Sequence, residues 1–178
     1  MRPNPRTRGE ALRMFVGFSV GEIGYALDVH QVVQIIHPLP YDPLPYLPAA
    51  VVGVADFRGA VVPVIDLRQR FAATASDARP RWLVVRSGQA AGAFVVDEVH
   101  DVFGVASSEI RPAPQIGAHD ERGLSSVLQH RGRMTFVLDI TQFQSLLEAA
   151  DDQLARIFEV PARRGGVAHG PPDRRGRL

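Results

Sequence analysis

The densest set of side chains able to do chemistry is Asp97, Glu98, His100 and Asp101. Carboxylates and an imidazole at such short spacing are the donors that hold a divalent cation or move a proton. A small metal-dependent hydrolase using Asp97, His100 and Asp101 is the enzymatic reading of that cluster. Strand alternation argues against it, because it sends Asp97 and Asp101 to one face and Glu98 and His100 to the other. Asp66 and Asp139 follow the aliphatic pairs Val64-Ile65 and Val137-Leu138. Short acidic residues at strand ends serve turns and caps more readily than they form a catalytic pair. The six histidines form no helical metal-binding pair, and no phosphate-binding Walker loop occurs. Gly17, Gly21 and Gly24 lack the dinucleotide-binding spacing and fit a hairpin turn. With no cysteine in the chain, disulfides, thiolate metal sites and cysteine nucleophiles are excluded. The expectation is a chain with no catalytic residue, no metal and no cofactor.

The polar side chain with the most specific setting is Arg58, within Val51–Phe71, VVGVADFRGAVVPVIDLRQRF. Two arms rich in β-branched residues flank Gly59, the pattern of a hairpin. Arg58 then stands at a rigid tip, as a solvated turn residue or as a guanidinium presented to a partner. Pro63 donates no ladder hydrogen bond, so the second arm is expected at an edge or a bulge.

The rest of the chain positions that hairpin. Short apolar runs near residues 14–18, 25–27, 29–36, 82–85, 93–96, 125–129 and 134–138 alternate with Gly-containing turns, as in barrels and not in a parallel sheet. The prolines at 38, 40, 43, 45 and 48 read as a rigid crossing loop, with a PxxP ligand as the alternative. Leu47–Val51 is read as one helical turn. From Thr141, apolar residues recur at 143, 146, 147, 150, 154, 157 and 158, a helix period, with Thr141 and Gln144 as a capping box. Residues 1–10 and 161–178 are expected to be disordered.

All twenty basic residues are Arg, and the net charge is +1. Residues 1–10 carry +2 and residues 161–178 carry +4, which leaves about −5 on the body by subtraction. An acidic body with basic tails is unlike a nucleic-acid-binding domain. No apolar run is long enough to span a membrane, and no signal peptide is expected. Two segments echo each other: Arg58-Gly59 with Val64-Ile65-Asp66-Leu67, and Arg131-Gly132 with Val137-Leu138-Asp139-Ile140, offset by 73 residues. A weaker echo, offset by 70, pairs Val29-His30-Gln31-Val32 with Val99-His100-Asp101-Val102. Both suggest two similar β-units.

The hairpin resembles the signature of CheW-type chemotaxis coupling proteins. GYALDVHQVVQI, GAFVVDEVHDV, SSEIRPAPQ and FVLDITQF extend the resemblance, in order, over Phe15–Leu147. It implies a mainly β fold of two intertwined five-stranded SH3-like β-barrels plus a C-terminal amphipathic helix. The implied layout is a disordered arm at 1–10 and a CheW-like domain at 11–148, with lobes at roughly 15–72 and 80–140 that exchange strands. A helix at 141–160 and a tail at 161–178 follow. The implied function is a cytoplasmic, non-enzymatic adaptor between a chemoreceptor's cytoplasmic tip and a CheA-type histidine kinase. It would touch the membrane only through receptors and bind no nucleic acid. A non-flagellar system for surface motility or development is the alternative within the family. By the resemblance Arg58 lies at the receptor side. A position that often carries Glu falls on Gln34, so only a neutral hydrogen bond is available there. Asp56-Phe57 replaces the usual Asn-Leu, and Asp56 is read as a partial substitute for the missing charge. Val32, Ile35, Phe57 and Phe94 are assigned to the receptor groove, with barrel core as the alternative for each. Gly53 and Val54 are assigned to kinase contact.

Overall fold

The computed structural model describes residues 11–74, 78–114 and 123–158. The expected arm and tail, most of the polar loop from Gly117, and the side chains of Leu154, Ile157 and Phe158 lie outside the described residues.

In chain order the strands are β1 (Leu12–Val20), β2 (Ile23–Asp28), β3 (Val32–Ile36), β4 (Val51–Phe57) and β5 (Ala60–Asp66). A helical turn, α1 (Leu67–Arg70), is followed by β6 (Arg81–Ser87), β7 (Ala90–Val96), β8 (Glu98–Ala106) and the two-residue β9 (Arg111–Pro112). The chain continues with β10 (Leu124–His130), β11 (Arg133–Leu138) and α2 (Gln144–Phe158). They form two sheets, one ordered β8-β1-β2-β11-β10-β9 and the other β3-β6-β7-β5-β4. The first sheet thus has six strands against the expected five, because β9 joins its edge.

The two sheets are copies. In each, two antiparallel hairpins meet along a parallel pair, β5 with β7 and β11 with β2. Adding 73 carries β4–β5 onto β10–β11, including the register shifts at Val51/Gly53 and Leu124/Ser126. For the remaining strands the offset is 67, not the 70 of the weaker sequence echo. Val32 faces Val85, and its counterpart Val99 faces Phe18, each three residues before the turn glycine, Gly88 or Gly21. Residues 29–31 form a 3-10 turn, whereas 99–101 lie inside β8, so the echo of 70 is out of register. Each sheet draws strands from both halves of the chain, which crosses between sheets after β2 and again after β7.

Pro63 is not at an edge, since β5 lies between β7 and β4. Both backbone groups of Val54, which faces Pro63, bond outward to Asp42 at 2.8 and 2.9 Å. The Val54/Pro63 pair is therefore non-hydrogen-bonded, and the absent N–H faces β7, whose ladder starts only at Val64. Residues 47–50 form no helix: 49 and 50 make a turn that leads into β4 at Val51, with Tyr46 and Ala50 at positive φ.

The largest core lies between the sheets. It joins Val16, Phe18 and Leu27 of the first to Ile65, Leu83 and Phe94 of the second, with Leu147 of α2 packed in. Two smaller cores use the opposite faces: Phe15, Ala26, Leu128 and Val137 in the first sheet, and Val64, Trp82, Ala93 and Val95 in the second. Burial on both faces explains the near-continuous apolar runs of β6 and β7. The α2 cap also differs from expectation. Asp139 caps a 3-10 turn (Ile140–Phe143), its Oδ1 accepting from Thr141 N and Oγ1, and Gln144 bonds forward to Glu148.

Candidate docking site

Arg58 and Gly59 are the two-residue turn between β4 and β5, with φ of 57° and 81°. Positive φ at both central positions marks a type I′ turn, whose twist matches the flanking strands. Asp56 Oδ1 accepts the Gly59 amide at 2.7 Å and fixes the turn. The guanidinium lies 5.2 Å from the Phe57 ring centroid, and Nη2 donates to Gln34 Oε1 at 2.6 Å. Gln34 is on β3 and Arg58 follows β4, the opposite edges of the second sheet. A flat five-stranded sheet separates its edges by about 19 Å. These two side chains do not span that distance, so the sheet curves enough to bring Gln34 and the Arg58 turn within side-chain reach. Asp56 is thus committed to the turn, and among the described residues no ion pair to Arg58 is formed.

The first sheet repeats the device with different chemistry. Arg131 and Gly132 have φ of 51° and 74°. Arg131 Nη2 reaches Asp101 Oδ2 at 3.1 Å across β10 and β8. His130, the counterpart of Phe57, puts Nε2 3.0 Å from Asp101 Oδ1 and stacks on Phe103 at 3.7 Å. Desolvation pushes the Asp101 carboxyl up, but the His130 hydrogen bond and the nearby His130 and Arg131 hold it below its ordinary value.

Of the residues assigned from sequence, the structure brings Arg58, Gln34 and Phe57 together. Ile35 is 42% exposed on β3. Val32 is half-buried against the inter-sheet core. Phe94 is fully buried and packs on Phe143 at 4.9 Å between centroids, so it is core and lines no groove. Gly53 and Val54 are covered by the chain's own Tyr41-Asp42. A Cβ at Gly53 would lie 2.5 Å from Asp42 O, which leaves no room for a kinase contact there while that strap is in place.

Sequence reading missed Val61, 48% exposed, and Met134, 61% exposed, which correspond across the repeat. Ile35 likewise corresponds to Val102, 53% exposed. By alternation Ile35 and Val61 share the sheet face that carries Leu83 and Ile65 into the inter-sheet core. The signal was in the sequence: the offset of 73 carries Val61 onto Met134.

The acidic cluster is dispersed. Asp97 is buried, with Oδ2 accepting from Gly21 N at 2.6 Å. Asp101 is held by His130 and Arg131, and His100 lies 3.9 Å from Glu98. Among the described residues no three His, Asp or Glu side chains are placed to hold a metal ion. Asp66 and Asp139 are caps, each accepting the amide two residues on. No described helix is long and apolar enough to cross a membrane.

A two-sheet β scaffold that offers a braced surface guanidinium, with Asp56, Asp66 and Asp139 spent on turns and caps, fits the protein-binding class. The CheW-like domain profile matches residues 14–148, and the chain belongs to that family of non-catalytic scaffolds active in chemotaxis. It is 32% identical to the chemotaxis protein CheW of Klebsiella aerogenes over 139 residues, covering 76% of this chain and 84% of the relative. It is 30% identical to CheW of Rhizobium meliloti over 132 residues, covering 72% and 84%. The fold is similar to that of the scaffolding protein TtCheW from Thermoanaerobacter tengcongensis, with a TM-score of 0.67 and 24% identity, covering 72% of this chain and 90% of that one.

Proposed function

We propose that this chain is a cytoplasmic adaptor that couples the helical tips of chemoreceptors to a CheA-type histidine kinase, working by binding alone. Each curled sheet closes toward an SH3-like barrel, and the face between the sheets receives the receptor helices. Arg58 anchors that face, with Phe57 beneath the guanidinium and Ile35 and Val61 as aliphatic surface. The observation that carries the reading is Arg58 itself: a non-glycine residue at φ 57°, cross-braced to Gln34 and presented to solvent. A left-handed arginine at a surface turn costs roughly 1 kcal/mol, and at Arg58, unlike at Arg131, no described carboxylate pairs with the guanidinium.

Replacing Arg58 with Ala is expected to weaken receptor-tip binding severalfold and leave kinase binding largely intact. Co-sedimentation with a receptor-tip fragment, alongside pull-down with the kinase, reads both. Equal loss of both, or loss of neither, rules the assignment out.

A further inference from the structure

The two Arg-Gly turns are built alike but differ in charge. Arg131 is neutralised within the chain by Asp101, at 3.1 Å. Among the described residues Arg58 hydrogen-bonds only to the neutral amide oxygen of Gln34, at 2.6 Å, and Asp56 accepts the Gly59 amide. The residue that decides this is the edge-strand partner, since Gln34 and Asp101 are counterparts at the offset of 67. One turn is therefore an internally closed ion pair. The other is a clamped cation whose charge no described carboxylate matches. A guanidinium offers five donors, and the bond to Gln34 uses one of them.

We infer that the Arg58 surface selects a partner helix bearing a carboxylate, and that Gln34 is the specificity-determining residue that keeps the guanidinium available to it. The inference rests on the adaptor reading and adds the chemistry of the partner. Gln34 orients the side chain without neutralising it, so an incoming carboxylate meets a preorganised fork. The surrounding body carries about −5 in net charge, so a carboxylate on the partner gains from meeting a fixed cation at this point, which helps set its docking register. The Arg131 turn, of the same shape, has no such preference, because Asp101 occupies the place a partner carboxylate would take.

The test uses the full chain and a purified receptor-tip fragment, with binding measured by titration at about 50 and about 500 mM salt. At low salt Gln34→Glu, which closes an internal ion pair, is expected to weaken binding roughly three- to tenfold. The difference is expected to vanish at high salt. Among single Glu→Gln and Asp→Asn changes in the tip fragment, one is expected to weaken wild type by a similar factor and to be silent against Gln34→Glu. Asp101→Asn, which opens the other pair, is expected to leave tip binding unchanged, and urea unfolding checks that each variant is folded. If Gln34→Glu binds as well as wild type while Arg58→Ala does not, the inference fails and the adaptor reading stands. If neither variant moves tip binding, both fail.

Discussion

Arg58 and Arg131 both sit in the left-handed region, and in each turn the following glycine takes the second left-handed position without strain. At Gly59 and Gly132 a Cβ would meet nothing within 4 Å, so only backbone conformation opposes a side chain there. Gly59→Ala is therefore expected to destabilise by about 1 kcal/mol and Gly59→Val by more, with the difference in urea midpoint as the measurement. A second residue-scale expectation concerns acid. The folded Asp101 carboxyl lies below its ordinary value near 3.8, so its contribution is fully present above that pH and is lost as pH falls through the folded value. Urea midpoints between about pH 2 and pH 6 should show a shallower acid limb in Asp101→Asn than in wild type. At this scale the sequence was only partly legible. The Arg-Gly turns were readable because glycine and β-branched arms mark a hairpin. Phe94 was not, because a strand buried on both faces carries no alternation to say which apolar residue is surface. The cover over Gly53 and Val54 was not legible because the strap at Tyr41-Asp42 comes from the proline-rich loop, and no local pattern announces it.

At the scale of elements, sequence rules worked where a single chemical need dominated. Asp66 ends β5 and Asp139 follows β11, and each caps the helical turn next to it, as short acidic residues do. Asp139→Ala removes the acceptor for both Thr141 N and Thr141 Oγ1 and is expected to cost about 1 kcal/mol. The loss should appear as faster amide exchange at Thr141–Phe143 without loss of the sheets. Rules failed where two elements compete for one residue. Pro63 suggests an edge if each strand is read alone. Its central place becomes acceptable only because Val54 turns its backbone groups toward Asp42. The capping box at Thr141 and Gln144 failed similarly: Asp139, two residues earlier, was the stronger acceptor and captured the turn. Gly92 shows the reverse dependence, since a Cβ there would run into Leu147 of α2. The sheet has no side chain at that point because the helix lies on it.

For the whole molecule, the repeat was legible as an echo of Arg-Gly turns, but the exchange of strands was not. Each sheet takes hairpins from both halves, and one sequence offset cannot describe copies whose segments are ordered differently along the chain. The consequence is a fold that holds together at its crossovers. At the crossover after β7, Asp97 is 3% exposed, accepts the Gly21 amide from the β1–β2 turn, and lies 4.0 Å from Arg68. Arg68 is itself clamped to Asp66 at the end of β5, through Nε at 2.9 Å and Nη2 at 2.8 Å. One carboxylate thus ties the turn of the first sheet to the end of a strand in the second. Asp97→Ala leaves the partly buried Gly21 amide without this acceptor and is expected to cost roughly 1–3 kcal/mol. Asp97→Asn retains an oxygen for that amide but loses the charge facing Arg68. If the amide bond carries the link, Asn recovers most of the stability that Ala loses; if the ion pair carries it, Asn is no better than Ala. The hydrogen bond is short, and Arg68 already has Asp66, so recovery by Asn is the expected result. Urea unfolding followed by the fluorescence of Trp82, the chain's one tryptophan and part of the second sheet's core, and separately by circular dichroism, decides between them. In wild type the two probes should trace one transition, because the main core is built from both sheets.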